Sequence, residues 1–331
     1  MTDVQDFGDI SPRTAAYAVF PLLKRGNEEM ILEKLGQVYQ LPTNKSLTAT
    51  FRRYNALPLA TTPLQEGVTP AGTKPTKTDV SVTLTQHGDF IPHSDVIMDT
   101  HEDPLLQVYS ELCMQQWTET VETLRWNVVK AGTNVGYTNG GRSTVNTPIS
   151  LAAQRTATRA LKRQRGKHIS SIVASNGNYR TEPVEAAFFA IGHSDIENDV
   201  RNMQGFIPTK QYGSGVNALP NEIGSVEDVR YFRSTLFTPF LGESGVTGGA
   251  STTMVNTGGF ADVYPVIYFA RDAYGIVPLK GKSAISLMVV NPKPTAGDQL
   301  GQRGSVGWKT MQGSVILNDL WMYRLECAAT L

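Results

Sequence analysis

Residues 46–99 constrain this chain more than any other stretch, because they read as two long strands joined by a tip that cannot build a core of its own. The first arm, Thr48 to Leu59, carries Phe51, Arg52, Arg53 and Tyr54. The second, Thr78 to Ile91, alternates Val80, Val82 and Leu84 with Ser81, Thr83 and Thr85. That alternation predicts a half-buried strand. Between the arms, Thr61 to Lys77 holds Pro63, Gly67, Pro70, Gly72 and Pro75, which block helix and central strand alike and predict an irregular, exposed tip. An isolated two-stranded ribbon is marginal in water, and roughly twelve residues per arm at about 3.3 Å each reach about 40 Å from the root. Such a ribbon needs a surface to lie on, and the economical source is a neighbouring copy of the chain.

With 331 residues the chain can bury a large core in one domain or two closely joined ones. Its 30 Lys and Arg balance 30 Asp and Glu, which argues against a protein that condenses nucleic acid through a basic surface or attaches to membranes by charge. No apolar run has the length of a membrane span, and the start, MTDVQDFGDI, lacks the charged and apolar regions of a signal peptide, so assembly in a cytoplasm is expected. Cys113 and Cys327 lie far apart among apolar residues and read as buried free thiols.

After an N-terminal arm and the ribbon, Asp103 and Pro104 supply an N-cap and first-turn signal, and no Gly or Pro interrupts the run to Lys130. Leu105, Tyr109, Leu112, Cys113, Trp117, Val121, Leu124 and Val128 recur every three to four positions and predict one buried stripe. A helix of roughly 28 residues spans about 42 Å, which suits a spine. A second helix is expected over Leu151–Arg165, then strands over 169–174 and 186–191, a capped helix over 194–203, and strands over 229–235, 263–269, 274–276 and 284–290. Ser314–Glu326, with Val315, Leu317, Trp321, Tyr323 and Leu325 on one face, reads as a long terminal strand.

Little here points to chemistry. GIVPLKGKS at Gly275–Ser283 superficially resembles a phosphate loop, but the glycine spacing is one residue too long and Val277, Pro278 and Leu279 lack the backbone freedom to cradle phosphate. His93, Asp95, Asp99, His101, Glu102 and Asp103 show no metal-ligand spacing. His193-Ser194-Asp195 are consecutive and cannot converge as a relay; Ser194 or Asp195 is expected to cap the next helix. Arg155, Arg159, Lys162, Arg163, Arg165 and Lys167 form a basic cluster. Positions 155, 159, 162 and 163 share a helix face that could touch a phosphate backbone or an acidic neighbour, beside the plainer reading of a solvated face. No cofactor or catalytic site is indicated.

The order of parts resembles the major capsid protein of tailed bacteriophages, in the Hong Kong-type capsid fold, and specifically the family typified by the coat protein of the podovirus N-four. The matching text is FRRYNALPLATTPLQEGVTP at Phe51–Pro70, DVIMDTHEDPLLQ at Asp95–Gln107, AGTNV at Ala131–Val135 and DQLGQRGSVGWKTMQGSVILNDLWMYRLE at Asp298–Glu326. The resemblance implies an α+β fold with an N-terminal arm over 1–45 and an extended hairpin, the E-loop, over 46–95, laid on the adjacent subunit. A peripheral domain follows over 96–148 with its spine helix at 103–130. The axial domain covers 149–290, with room for an insertion at 205–259, and the chain returns to the peripheral domain over 291–331.

The implied function is a non-enzymatic shell of pentamers and hexamers, assembled in the host cytoplasm and found in the virion. Its implied partners are further copies of itself, portal, scaffold and decoration proteins, and packaged double-stranded DNA without sequence specificity; no membrane is implied. An encapsulin-type compartment around cargo protein is the rival on the same fold, and an oligomeric enzyme the rival from another class. Arg52 and Arg53, on opposite faces of one strand beside Tyr54, are the candidates for intersubunit contact, with Glu66, Glu102 and Asp103 of other copies as their acidic counterparts.

Overall fold

The computed structural model of the chain describes residues 30–64, 66–67, 69, 72–100, 105–173, 181–213, 218–244, 253–280, 285–294 and 297–331. In chain order its elements begin with α1 Leu32–Leu35, β1 Gln37–Val38, β2 Thr48–Tyr54, β3 Lys77–Thr83, β4 Thr85–Ser94, α2 Asp95–Thr100, α3 Leu105–Lys130 and β5 Val135–Tyr137. Next come α4 Leu151–Arg163, β6 Ile169–Val173, β7 Thr181–His193, α5 Glu197–Arg201, β8 Phe206–Pro208, β9 Glu222–Val226 and β10 Val229–Ser234. The chain ends with β11 Asn256–Thr257, β12 Phe260–Ala261, β13 Tyr264–Phe269, β14 Tyr274–Pro278, β15 Ile285–Val290, β16 Arg303–Ile316 and β17 Met322–Cys327.

Two mixed sheets carry the body. The larger runs β5-β17-β13-β7-β10-β9-β8 with β6 on β7, and the smaller runs β1-β14-β16-β15 with β4 on the other side of β16. Period-2 alternation sorts the central strands of the larger sheet into two cores. Phe188, Ala190, Val266 and Tyr268 face one cluster, while Phe189, Ile191, Ile267 and Phe269 face the other. Helix α4 covers the first face through Ala157 and Leu161. Its Ser150 cap accepts the Ala153 N–H at 3.3 Å, and it ends where Arg165 turns left-handed at φ 56° and Gly166 donates back to Leu161 O at 3.0 Å.

Helix α3 links the cores of the two sheets. Leu105, Tyr109, Cys113, Met114, Trp117 and Val121 pack on Val306 and Trp308 of β16, whereas Trp126 and Val129 enter the second core of the larger sheet. Both cysteines are buried and free. Burial pushes the Cys113 thiol up to about 11, so it packs as a small hydrophobe.

Several expectations need correction. The buried stripe of α3 holds Leu105, Tyr109, Cys113, Trp117 and Val121 as anticipated, but Leu112 is 51% exposed, Leu124 and Val128 are half-buried, and Ser110, Thr118, Glu122 and Arg125 are buried as well. Polar groups can occupy those positions because they find partners, Ser110 and Thr118 on the carbonyls of Leu106 and Met114 in their own helix and Arg125 on Glu33 and Gln312 of other segments. The first ribbon arm ends as a strand at Tyr54, ahead of Pro58, and not at Leu59. The second arm is two strands that meet at Leu84, whose N–H still donates to Leu47 O at 2.9 Å, the next position of the ribbon ladder, and whose side chain buries against Leu41 and Val277. Ser314–Glu326 is likewise split. Leu317 and Asn318 both donate to Ala273 O, a short turn follows at Asp319–Trp321, and β17 then joins the other sheet. Strands β14 and β15, expected in the middle domain, pair with β16 beside β4. The N-cap expected at Asp103 lies outside the described residues.

Candidate assembly surfaces

The ribbon is a seven-rung antiparallel ladder from Thr48↔Thr83 to Tyr54↔Lys77. Its root is tied to the body, since Ala49, Val82 and Leu84 bury with Leu41 and Val277, and Phe51 packs partly on the same cluster. Beyond the root, both faces meet solvent. Asn55 closes the ladder by donating to Thr76 O at 2.9 Å, and from there Leu57, Leu59 and Leu64 are 58%, 82% and 79% exposed. Leucines placed so have no apolar core to join among the described residues. Because β4 continues from Thr85 back along β16 to Ser94, the ribbon runs from Thr83 in the other direction along the chain, beyond the end of that pairing.

The two ribbon arginines have different fates. Arg52 donates from Nε to Asp79 Oδ1 at 2.8 Å and from a terminal nitrogen to Oδ2 at 3.1 Å, one rung across the ladder. That guanidinium holds the Asp79 carboxyl below its ordinary range. The acid for Arg52 is therefore Asp79 of the same ribbon, a residue the sequence reading overlooked although its place directly opposite in the register was the available signal. Arg53, on the opposite face, lines a groove of about 240 Å³ between the ribbon root and the body, with Phe51, Gln37, Asp272 and Trp321 around it. No carboxylate among the described residues pairs with it. Tyr54 and Glu66 are exposed, and Glu102 and Asp103 lie outside the described residues.

On helix α4, Arg155 pairs with Glu227, its Nε donating to Oε1 at 2.9 Å, and Lys162 pairs with Asp228. Both carboxylates sit on the turn between β9 and β10, where Glu227 adopts φ 54°. Arg159 and Arg163 share the exposed face and have no acidic partner among the described residues.

The other chemical candidates resolve into structure. Nδ1 of His193 accepts the Asp195 N–H at 3.2 Å, so His193, and not Ser194 or Asp195, caps the turn that opens α5, and the Asp195 carboxylate accepts the Tyr264 hydroxyl at 2.7 Å. His93 is fully buried beside Tyr109, and burial lowers its pKa, while Asp95 opens α2 and accepts the Val96 N–H, with Ser94 Oγ before it accepting the Ile97 N–H. No group of three His, Cys, Asp or Glu side chains among the described residues is placed to hold a metal. Gly275–Pro278 lie within β14, not in a phosphate loop.

Solved structures share this arrangement along its full length. The capsid of Ralstonia phage GP4 matches over 100% of this chain and 99% of its own, with 10% identity and a TM-score of 0.69. The chain has the phage capsid fold. The capsid of Cyanophage Pam1 matches over 100% of both chains at 12% identity and a TM-score of 0.60, and the head of Helicobacter pylori bacteriophage KHP40 over 88% and 87% at 9% identity and 0.58. No protein-family model matches the chain, and no curated protein does. Within the capsid fold, the exposed ribbon and helix α4 are the described parts on which the candidate contacts sit.

Proposed function

We propose that this chain is the major coat protein of a tailed-phage head, assembling with itself into pentamers and hexamers of a closed icosahedral shell around double-stranded DNA. The observation that carries this reading is the ribbon, which exposes three leucines beyond its last rung, in a chain whose whole length follows the capsid fold. In a closed shell each tip lies on the next subunit and loses that apolar surface to a neighbour, and repetition of one contact around a symmetry axis closes the assembly. Residues 46–95 are then the overlapping hairpin, α3 the spine of the peripheral domain, and the larger sheet with α4 the axial domain. Arg53 and Tyr54 are the root residues free to meet the neighbour, and Glu66 is the tip's own acidic group. Portal, scaffold and decoration proteins are the further partners this reading calls for, with the virion as the destination. Catalysis has no part in it.

Negative-stain microscopy of the purified full chain tests the proposal. Closed shells, with nuclease-resistant DNA in particles made during infection, are the expected result. A chain that stays monomeric under all assembly conditions overturns it, and shells that hold only protein cargo replace it with a compartment.

A further inference from the structure

The chain is neutral overall, yet one face is not. Over Arg155–Lys167 six cations, Arg155, Arg159, Lys162, Arg163, Arg165 and Lys167, stand exposed on α4 and the turn after it. Only two carboxylates answer them, Glu227 for Arg155 and Asp228 for Lys162. Six less two leaves four cations with no acidic partner among the described residues. The opposite face of the same helix is buried through Gln154, Ala157, Thr158 and Leu161, so the cations are held outward by the fold. Arg155, Arg159 and Arg163 follow one another at single-turn spacing, about 6 Å along the axis. They form one wall of an open groove of about 540 Å³ whose other wall is the Glu227–Asp228 turn.

What this face lacks identifies its partner. No large apolar side chain between Leu151 and His168 is exposed. A protein partner would be anchored by aromatic or aliphatic groups in a desolvated centre, and none is offered here. A phosphate backbone asks for no such anchor, only for spaced, hydrated cations. We propose that the cationic face of α4 and its following turn binds the phosphate backbone of duplex DNA without sequence preference. The inference rests on the shell reading above, in which the chain encloses duplex DNA.

The test uses the full-length chain and a short fluorescent duplex of random sequence, with affinity measured against salt. Four phosphate contacts predict that affinity falls about a hundredfold between about 50 and 200 mM salt. Arg159→Glu with Arg163→Glu should weaken binding at least tenfold and flatten the salt slope, while Lys45→Glu with Lys309→Glu, the same change in net charge placed elsewhere, should leave both unchanged. Arg159→Gln with Arg163→Gln provides the same reading should the reversal fail to fold. Unaltered affinity and slope in the helix variants overturn the inference, as does an equal loss in the control pair. A change in shell yield with DNA binding intact also overturns it, because the face would then contact protein. Shells are scored separately by microscopy, so failure of wild-type assembly counts against the shell reading and leaves the DNA measurement to stand or fall by itself.

Discussion

Oε1 of Glu122, on the buried side of α3, accepts the backbone N–H of Leu32 at 2.9 Å across 90 residues of sequence, and the N–H of Ile31 at the same distance. The carboxylate thereby pins the segment before β1 to the long helix. Around it, Arg125 donates to Glu33 at 3.2 Å and to Gln312 at 2.9 Å, and the Tyr274 hydroxyl donates to Leu32 O at 2.5 Å. Gly36 lets the segment pass, since a Cβ there would lie 2.7 Å from the Tyr274 ring.

Burial pushes the Glu122 carboxyl up from 4.5 to about 7, more than Arg125 and the two N–H groups pull it down. Between those values the unfolded chain has released a proton that the folded chain keeps. Stability should therefore fall as pH rises from about 4.5 to about 7 and level off above, by something of the order of 3 kcal/mol. Glu122→Gln keeps an oxygen for the two N–H groups and removes the charge, so its melting temperature at pH 7.5 should equal or exceed that of the unsubstituted protein, with this part of the pH slope gone. Identical slopes for the two proteins would show that Glu122 ionises normally.

A contrast along α3 tests which face is buried. Trp117 packs between Val121 and Trp308, and truncating it to alanine should cost about 3 to 5 kcal/mol. Leu112→Ala, one turn earlier on the exposed side, should change stability by less than about 0.5 kcal/mol. Urea midpoints of the two variants decide it, and a comparable loss at Leu112 would mean that the helix is rotated relative to β16.

How much of this was legible in advance varies with the physics of each element. The period of α3 and the alternation of β3 come from apolar residues whose positions the pattern records directly, and both were readable. Glu122 and Arg125 were not, because a buried charge is tolerated only when distant residues supply its partners, here Ile31, Leu32, Glu33 and Gln312, and no local pattern records them. The break at Leu84 and the turn at Asp319 hide for the same reason. Each interrupts a run of good strand residues through distant partners, the burial of Leu84 against Leu41 and Val277 and the bond from the Thr133 N–H to Asp319. Of the candidate contacts, the exposed tip was legible from its prolines and glycines, whereas the different fates of Arg52 and Arg53 depended on register.

In the larger sheet, Arg230 and Glu222 form a bidentate pair at 2.6 and 2.5 Å with both side chains nearly inaccessible, and the same carboxylate accepts the Tyr212 hydroxyl at 2.7 Å and the Leu219 N–H at 2.8 Å. Removing one partner strands the other as a buried charge. Arg230→Met should cost about 3 to 5 kcal/mol, read as a large drop in thermal midpoint. A drop within the range of ordinary surface changes would show that solvent reaches the pair.

At the ribbon root the two charge reversals should part company. Arg52→Glu sets like charges directly opposite each other on one rung, and adding Asp79→Arg should restore whatever is lost. Arg53→Glu disturbs no pair within the described residues, so its monomer should melt normally while its shell yield drops. Particle counts at matched soluble protein are the measurement, and normal yield from Arg53→Glu would remove this residue from the intersubunit contact.

The tip itself gives the sharpest separation of folding from assembly. Its ladder closes at Tyr54↔Lys77 and at Asn55 on Thr76, so the residues between 56 and 75 can be replaced by a short Asn-Gly turn without breaking a rung. None of the buried side chains in the described structure lies in that span, and the root cluster of Ala49, Val82 and Leu84 is untouched. The shortened chain should therefore express in soluble form with an unchanged thermal midpoint. If Leu57, Leu59 and Leu64 are the groups that a neighbour covers, that same chain should form no closed shells, and restoring the tip with all three leucines changed to serine should fail in the same way. Normal shells from the shortened chain would mean that the neighbours are held by other surfaces. Loss of the fold would mean that the tip packs on its own subunit.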